Sequence, residues 1–179
     1  MSDTEFLKQA VTARGANLDD LSKESPLLVV FLRHAGCPFC RETLAELQAK
    51  REAIESSGTR IVLVHMMSDA DSVVFFRKYR LDDVPRISDP AQTLYQAFGL
   101  KRGTLTQVVG PSVWWQGFKA TVLGGNLPGK PVGDIYQLPG AFLVHNGEIV
   151  RGFEAANSSD RPDYVDLATC ELPTRATDQ

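Results

Sequence analysis

The stretch Leu27-Leu28-Val29-Val30-Phe31-Leu32-Arg33-His34-Ala35-Gly36-Cys37-Pro38-Phe39-Cys40 decides how this chain is read. Its first six residues are apolar, branched or aromatic, and the run is short and continuous, as a strand buried on both faces requires. Arg33 to Gly36 form a turn, and Pro38 suits the first turn of a helix, where its missing N–H is not needed. Downstream, Leu44, Leu47 and Ile54 recur at helical spacing amid Glu42, Glu46, Lys50 and Arg51, the pattern of an amphipathic helix.

That order places Cys37 where a buried strand gives way to a helix amino terminus. Free N–H groups and the partial positive charge there lower a thiol's pKa and favour the nucleophilic thiolate. Cys40 lies one turn inside; at about 100° per residue it falls in the stripe of Leu44, Leu47 and Ile54, facing the core. The expected roles follow: Cys37 is the exposed attacker, and Cys40 the shielded partner that closes a disulfide once Cys37 is oxidised. Arg33 and His34 stand just upstream. Arg33 is read either as a surface residue at a strand end or as a source of positive potential, and His34 as a turn residue or a proton shuttle.

Outward from this segment, residues 4–14 read as a short amphipathic helix ending near Gly15, and Arg60 to Met66 as a second buried strand. Ser68 with Asp71 marks a helix start, and Val73, Phe76 and Tyr79 give that helix an apolar side. Arg77-Lys78-Tyr79-Arg80 reads as its solvated face. A short extended piece follows Pro85 at Arg86-Ile87-Ser88, then a helix from Gln92 to Phe98 that stops at Gly99. Residues 103–136, rich in Gly and Pro and containing Trp114-Trp115, read as an insertion with some helix, the tryptophans packing it down. Asn146-Gly147 between two apolar runs is a strong hairpin signal. A last helix spans about Pro162 to Cys170, where Cys170 reads as a free thiol. Early strand–helix–strand units followed by a hairpin and helix suit a mixed sheet covered on both faces.

The bulk numbers set limits. One domain of 179 residues, 43% hydrophobic and 23% charged, buries a substantial core. A net charge of −3 does not suit a nucleic-acid binder. The amino terminus shows no basic segment followed by an apolar one, and the longest apolar run is too short to cross a bilayer, so the expectation is a cytosolic, cytoplasmic protein without membrane contact. Three cysteines do not make a disulfide framework, and structural zinc would need a second ligand pair that Cys170, His34, His65 and His145 do not supply. No metal or cofactor is expected.

With these pieces placed, Leu32 to Leu47, Ile87 to Leu100, Gly140 to Phe153 and Arg161-Pro162-Asp163-Tyr164 together resemble peroxiredoxin-like proteins of the alkyl hydroperoxide reductase/thiol-specific antioxidant (AhpC/TSA) type. The likeness covers about residues 25 to 168. It implies an α/β, thioredoxin-like fold: a central mixed sheet flanked by helices on both faces, with the insertion before the carboxy-terminal hairpin. In that fold a proline opening the hairpin's first strand, here Pro139, takes the cis peptide and faces the cysteine pair; an ordinary trans turn is the alternative. The resemblance also implies reduction of hydroperoxides through a Cys37–Cys40 dithiol/disulfide cycle, reset by a thioredoxin- or glutathione-type donor, and leaves a homodimer open. Cys-Pro-Phe-Cys is close to the glutaredoxin dipeptide as well, which favours disulfide exchange. A third reading is a redox-responsive binding protein without turnover. The chain departs from the family in two places. His34 stands where a Thr precedes the attacking Cys, and Leu138-Pro139 where an activating Arg is expected, leaving Arg33, Arg151 and Arg161 as substitutes.

Overall fold

The computed structural model of the chain describes residues 5–110 and 133–169. Trp114, Trp115, Cys170 and most of the segment read as an insertion lie outside the described residues.

Five strands form one sheet in the order β3-β2-β1-β4-β5. β1 (Leu27–Phe31) pairs in parallel with β2 (Arg60–His65), and β2 in parallel with β3 (Arg86–Ser88). β4 (Gly140–His145) runs antiparallel to β1, and β5 (Glu148–Glu154) antiparallel to β4. β1 is central, and all five of its residues are buried. Because strand side chains alternate, Leu28 and Val30 enter one apolar cluster, with Cys37, Cys40, Leu44 and Leu47, while Leu27, Val29 and Phe31 enter a second with Tyr95, Phe98 and Phe142. Each such side chain contributes roughly 1.5–3 kcal/mol on burial. Two clusters on opposite faces are why the strand carries no polar residue.

The first cluster is roofed by α3 (Pro38–Ser56), α4 (Asp69–Arg77) and α7 (Tyr164–Ala168); the second by α1 (Glu5–Gln9), α2 (Leu18–Glu24) and α5 (Thr93–Ala97). A further helix, α6 (Leu105–Val109), follows α5 and is opened by a capping box between Thr104 and Gln107. The Ser68 start of α4 is as read: its hydroxyl accepts from the Asp71 N–H.

Three local readings change. The helix expected over 4–14 stops at Gln9, because Thr12 N–H bonds the Ala16 carbonyl and Val11 bridges Asn17. Asn17 then caps α2, a helix the pattern did not reveal, through its side-chain oxygen and the Asp20 N–H at 2.8 Å. The last helix is shorter than expected and begins at Tyr164, where the Asp163 carboxylate takes the Val165 and Asp166 N–H groups.

The hairpin turn is as read: Asn146 (φ 51°) and Gly147 (φ 76°) both lie in the left-handed region, as a two-residue turn of this hand requires. Its two N–H groups dock on Ser22 of α2, one on the carbonyl and one on the hydroxyl.

Candidate active site

Cys37 is the amino-terminal cap of α3, in extended conformation, with Pro38 next to it as the first helical residue. The turn from β1 is closed by the Cys37 N–H donating to the His34 carbonyl at 3.0 Å. This sets the thiol at the carboxyl ends of the parallel strands, where ligand crevices form in open α/β sheets. Cys40 follows one turn later, in the buried stripe of α3 with Thr43, Leu44 and Leu47.

Arg33 joins the two sulfurs. Its backbone N–H donates to Cys40 Sγ at 3.1 Å, and its guanidinium Nη1 donates to Cys37 Sγ at 2.9 Å. Two further guanidinium donors are taken by main chain from the far end of the sequence: one on Nε by the Gln137 carbonyl at 3.0 Å and one on Nη2 by the Ile135 carbonyl. Arg33 is only 4% exposed. It is not a surface residue at a strand end; a cation with such surroundings is held where an anionic sulfur would form.

The reading of Cys37 as exposed is corrected too. Both thiols are free and both are buried, Cys37 at 2% exposure and Cys40 at 4%. Their ionisation differs nonetheless. The Cys37 thiol is lowered to about 6, first by the hydrogen bond it receives from the Cys40 thiol, then by the Arg33 charge and the N–H groups of Cys40 and Phe39, with burial opposing. Burial pushes the Cys40 thiol well above its ordinary value, and donation to Cys37 pushes it further. The two shifts point the same way, favouring the thiolate at Cys37 and the proton on Cys40.

His34 supplies its carbonyl to the turn but no charge. Burial, then the neighbouring Arg33 cation, lower its imidazole to about 4, against a small pull from Asp134. It is therefore neutral at neutral pH.

Pro139 is trans, as is every peptide bond among the described residues, so the expected cis peptide is absent. The ordinary, lower-energy trans form serves the approach to β4, where Leu138 N–H donates to the Lys101 carbonyl and Arg102 bridges Gln137. Pro139 walls a narrow cleft beside Cys40, shared with Thr43, Phe153, Arg161 and Tyr164. About 10 Å³ of that cleft is open, roughly the room of one water.

The other arginines named as substitutes meet carboxylates, Arg161 doing so on the wall of the cleft beside Cys40. Arg151 pairs with Asp166 at 3.0 Å, and Arg161 lies 3.0 Å from Glu42 and 3.7 Å from Glu46 on α3. Among the three, Arg33 is the one whose guanidinium donates to the Cys37 sulfur. The Ile135 and Gln137 carbonyls that hold it went unnoticed in the sequence, since nothing local in an Ile-Tyr-Gln segment marks main-chain acceptors about a hundred residues away.

A mixed sheet clothed on both faces, with a paired thiol at the first strand–helix junction, defines a thiol-dependent oxidoreductase of the thioredoxin-like fold. The chain belongs to the AhpC/TSA antioxidant enzyme family, whose model matches residues 46–157. That match begins after the cysteine pair, so it covers the frame, and the thiol site stands on its own geometry. The chain is similar to the prostamide/prostaglandin F synthase of Salmo salar, 27% identical over 145 residues that make up 79% of this chain and 70% of that protein. Its fold is shared with peroxidoxin BcpB of Mycobacterium tuberculosis (TM-score 0.59, 16% identity, 89% of this chain and 87% of that one). Peroxiredoxin Q of Xanthomonas campestris is similarly close (TM-score 0.56, 17% identity, 88% of this chain and 82% of that one). Among the described residues no helix is long and apolar enough to cross a membrane.

Proposed function

We propose that the chain reduces hydroperoxides with Cys37 as the attacking thiolate, Cys40 as the resolving thiol and Arg33 as the activating cation. One observation carries this reading: Arg33 donates to Cys37 Sγ from its side chain and to Cys40 Sγ from its backbone, so a single residue holds the nucleophile and its partner in register. In the first step Cys37 S⁻ attacks the terminal peroxide oxygen. An S–O bond forms, the O–O bond breaks, and the alkoxide leaves with a proton to give the alcohol and a sulfenic acid. Cys40, losing its proton, then attacks the Cys37 sulfur; the S–S bond forms and water leaves. A thioredoxin-type dithiol, or two glutathione-type thiols in turn, returns two electrons and two protons by thiol exchange. Arg33 stands in for the Arg missing at Leu138-Pro139, its charge meeting the negative charge that develops on the peroxide oxygens.

The likeness to proteins named prostamide/prostaglandin F synthase supports testing prostaglandin-type lipids beside simple hydroperoxides. Dithiol exchange on protein disulfides is the second reading, supported by the spacing of two reduced thiols one helical turn apart. The test is peroxide consumption with a thioredoxin system, using hydrogen peroxide and organic hydroperoxides. Cys37→Ser is expected to abolish turnover, and Cys40→Ser to permit one stoichiometric oxidation and then stall. Turnover no faster than a free thiol, with insulin or glutathione disulfide still reduced, leaves the exchange reading in its place.

A further inference from the structure

The aim of Arg33 at Cys37 depends on what holds its other donors, and that hold is built by the turn at 134–137 before β4. The Tyr136 carbonyl turns outward to take the Gly103 N–H at 2.7 Å, while those of Ile135 and Gln137 turn inward to the Arg33 guanidinium. Asp134 begins this segment. Its Oδ1 accepts the Tyr136 N–H at 2.9 Å, and its own carbonyl takes the Gln137 N–H at 3.3 Å, which closes an Asx-type turn around Ile135. Its Oδ2 accepts from Arg102 Nε at 2.6 Å, and Arg102 also lies 5.9 Å from the centre of the Tyr136 ring. The Asp134 side chain is 15% exposed, while Arg102 reaches it from the solvent side.

We propose that Asp134 is a positioning residue for the thiol site. Paired with Arg102, it fixes the turn whose Ile135 and Gln137 carbonyls aim the Arg33 guanidinium at the Cys37 sulfur. The inference rests on the reading of Cys37 as nucleophile and extends it to a residue about a hundred positions away that touches neither sulfur nor substrate. The charged and titratable groups gathered here are Arg33, His34, Cys40, Asp134 and Arg102. His34 is neutral and Cys40 protonated near pH 7, so Arg33 is the cation left to respond when the turn loosens. With the carbonyls displaced, the guanidinium no longer has a single orientation, and the thiolate loses a directed donor.

The test compares Asp134→Ala, Asp134→Asn and Arg102→Met in the full chain. Two readouts are used: the pH dependence of Cys37 alkylation by iodoacetamide, resolved by peptide mass spectrometry, and the rate of the first peroxide oxidation. Asp134→Ala is expected to move the Cys37 titration upward and slow oxidation near pH 6.5 several-fold. Asp134→Asn, whose amide oxygen still closes the turn, is expected to lie between it and the parent, with Arg102→Met close to Asn. Titration curves superimposed on the parent's, with only a lower melting temperature, would overturn the proposal. Should Asp134→Ala not fold, the Asn and Met variants decide by the same criterion. A parent Cys37 that titrates like a free thiol instead sinks the reading of the site, a separate outcome.

Discussion

Arg33 holds a full positive charge at 4% exposure, a placement that costs several kcal/mol unless the charge is paired and its donors filled. Two carbonyls fill donors, and the Cys37 sulfur supplies the countercharge. Replacing Arg33 by Met is expected to move the Cys37 titration from about 6 toward the free-thiol range, slowing peroxide oxidation at neutral pH at least tenfold. Arg33→Lys should recover only part, since an ammonium cannot reach a sulfur and two carbonyls in one fixed fork. Alkylation and oxidation rates across pH 5 to 9 check both. The same shift is a stability statement. The folded Cys37 pKa lies below the unfolded value of 9.0, so its contribution is full above that value and is lost as the pH falls through about 6. Cys40, shifted upward, acts the other way, its contribution present at neutral pH and lost in strong alkali.

At the level of elements, the ends of β1 and β2 are tied together by a side chain from α5. Tyr95, fully buried, donates its hydroxyl to the Leu32 carbonyl at 2.6 Å and lies 3.2 Å from that of Val64. Leu32 is the residue before Arg33, so this bond anchors the turn on which the site is built. Tyr95→Phe keeps the ring's contacts with Phe31 but leaves a buried carbonyl short of a donor. A loss of about 1–2 kcal/mol is expected in urea unfolding, with the peroxide rate falling less than in Arg33→Met. An unchanged midpoint would show the strand ends to be held by β-pairing alone. Elements of this kind were partly legible. The run Leu27 to Leu32, the Ser68 cap and Asn146-Gly147 declare themselves through neighbours in sequence. The helix capped by Asn17 did not, because its seven residues are too few for a periodic signal and its start depends on a bridge between Val11 and Asn17.

For the molecule as a whole, the two-sided core encloses an ionisable side chain on which burial outweighs the charge of Asp69. His65, at the end of β2, is 0% exposed, packs against Phe76, and has no hydrogen-bond partner on either ring nitrogen among the described residues. Burial lowers its pKa to about 4. With the folded value below the unfolded 6.5, the native state takes up its proton later than the unfolded chain, so stability is lost as pH falls from about 6.5 toward 4. His65→Leu is expected to flatten part of the fall of melting temperature over that range, His34 being lowered alike; an equal fall in both proteins would place the acid sensitivity elsewhere. Local sequence was enough for the order of most strands and helices, the double-faced burial of β1, and the seating of Cys37 at a helix start with Cys40 one turn in. These follow from periodicity and from chemistry within a few residues. It was not enough to show that Arg33 is buried on Cys37, that His34 is neutral, that Pro139 is trans or that Cys37 is covered. Each of these depends on which distant segment arrives beside β1, and the segment 134–138 arrives from across the chain through main-chain carbonyls, which every residue carries and no side-chain pattern announces.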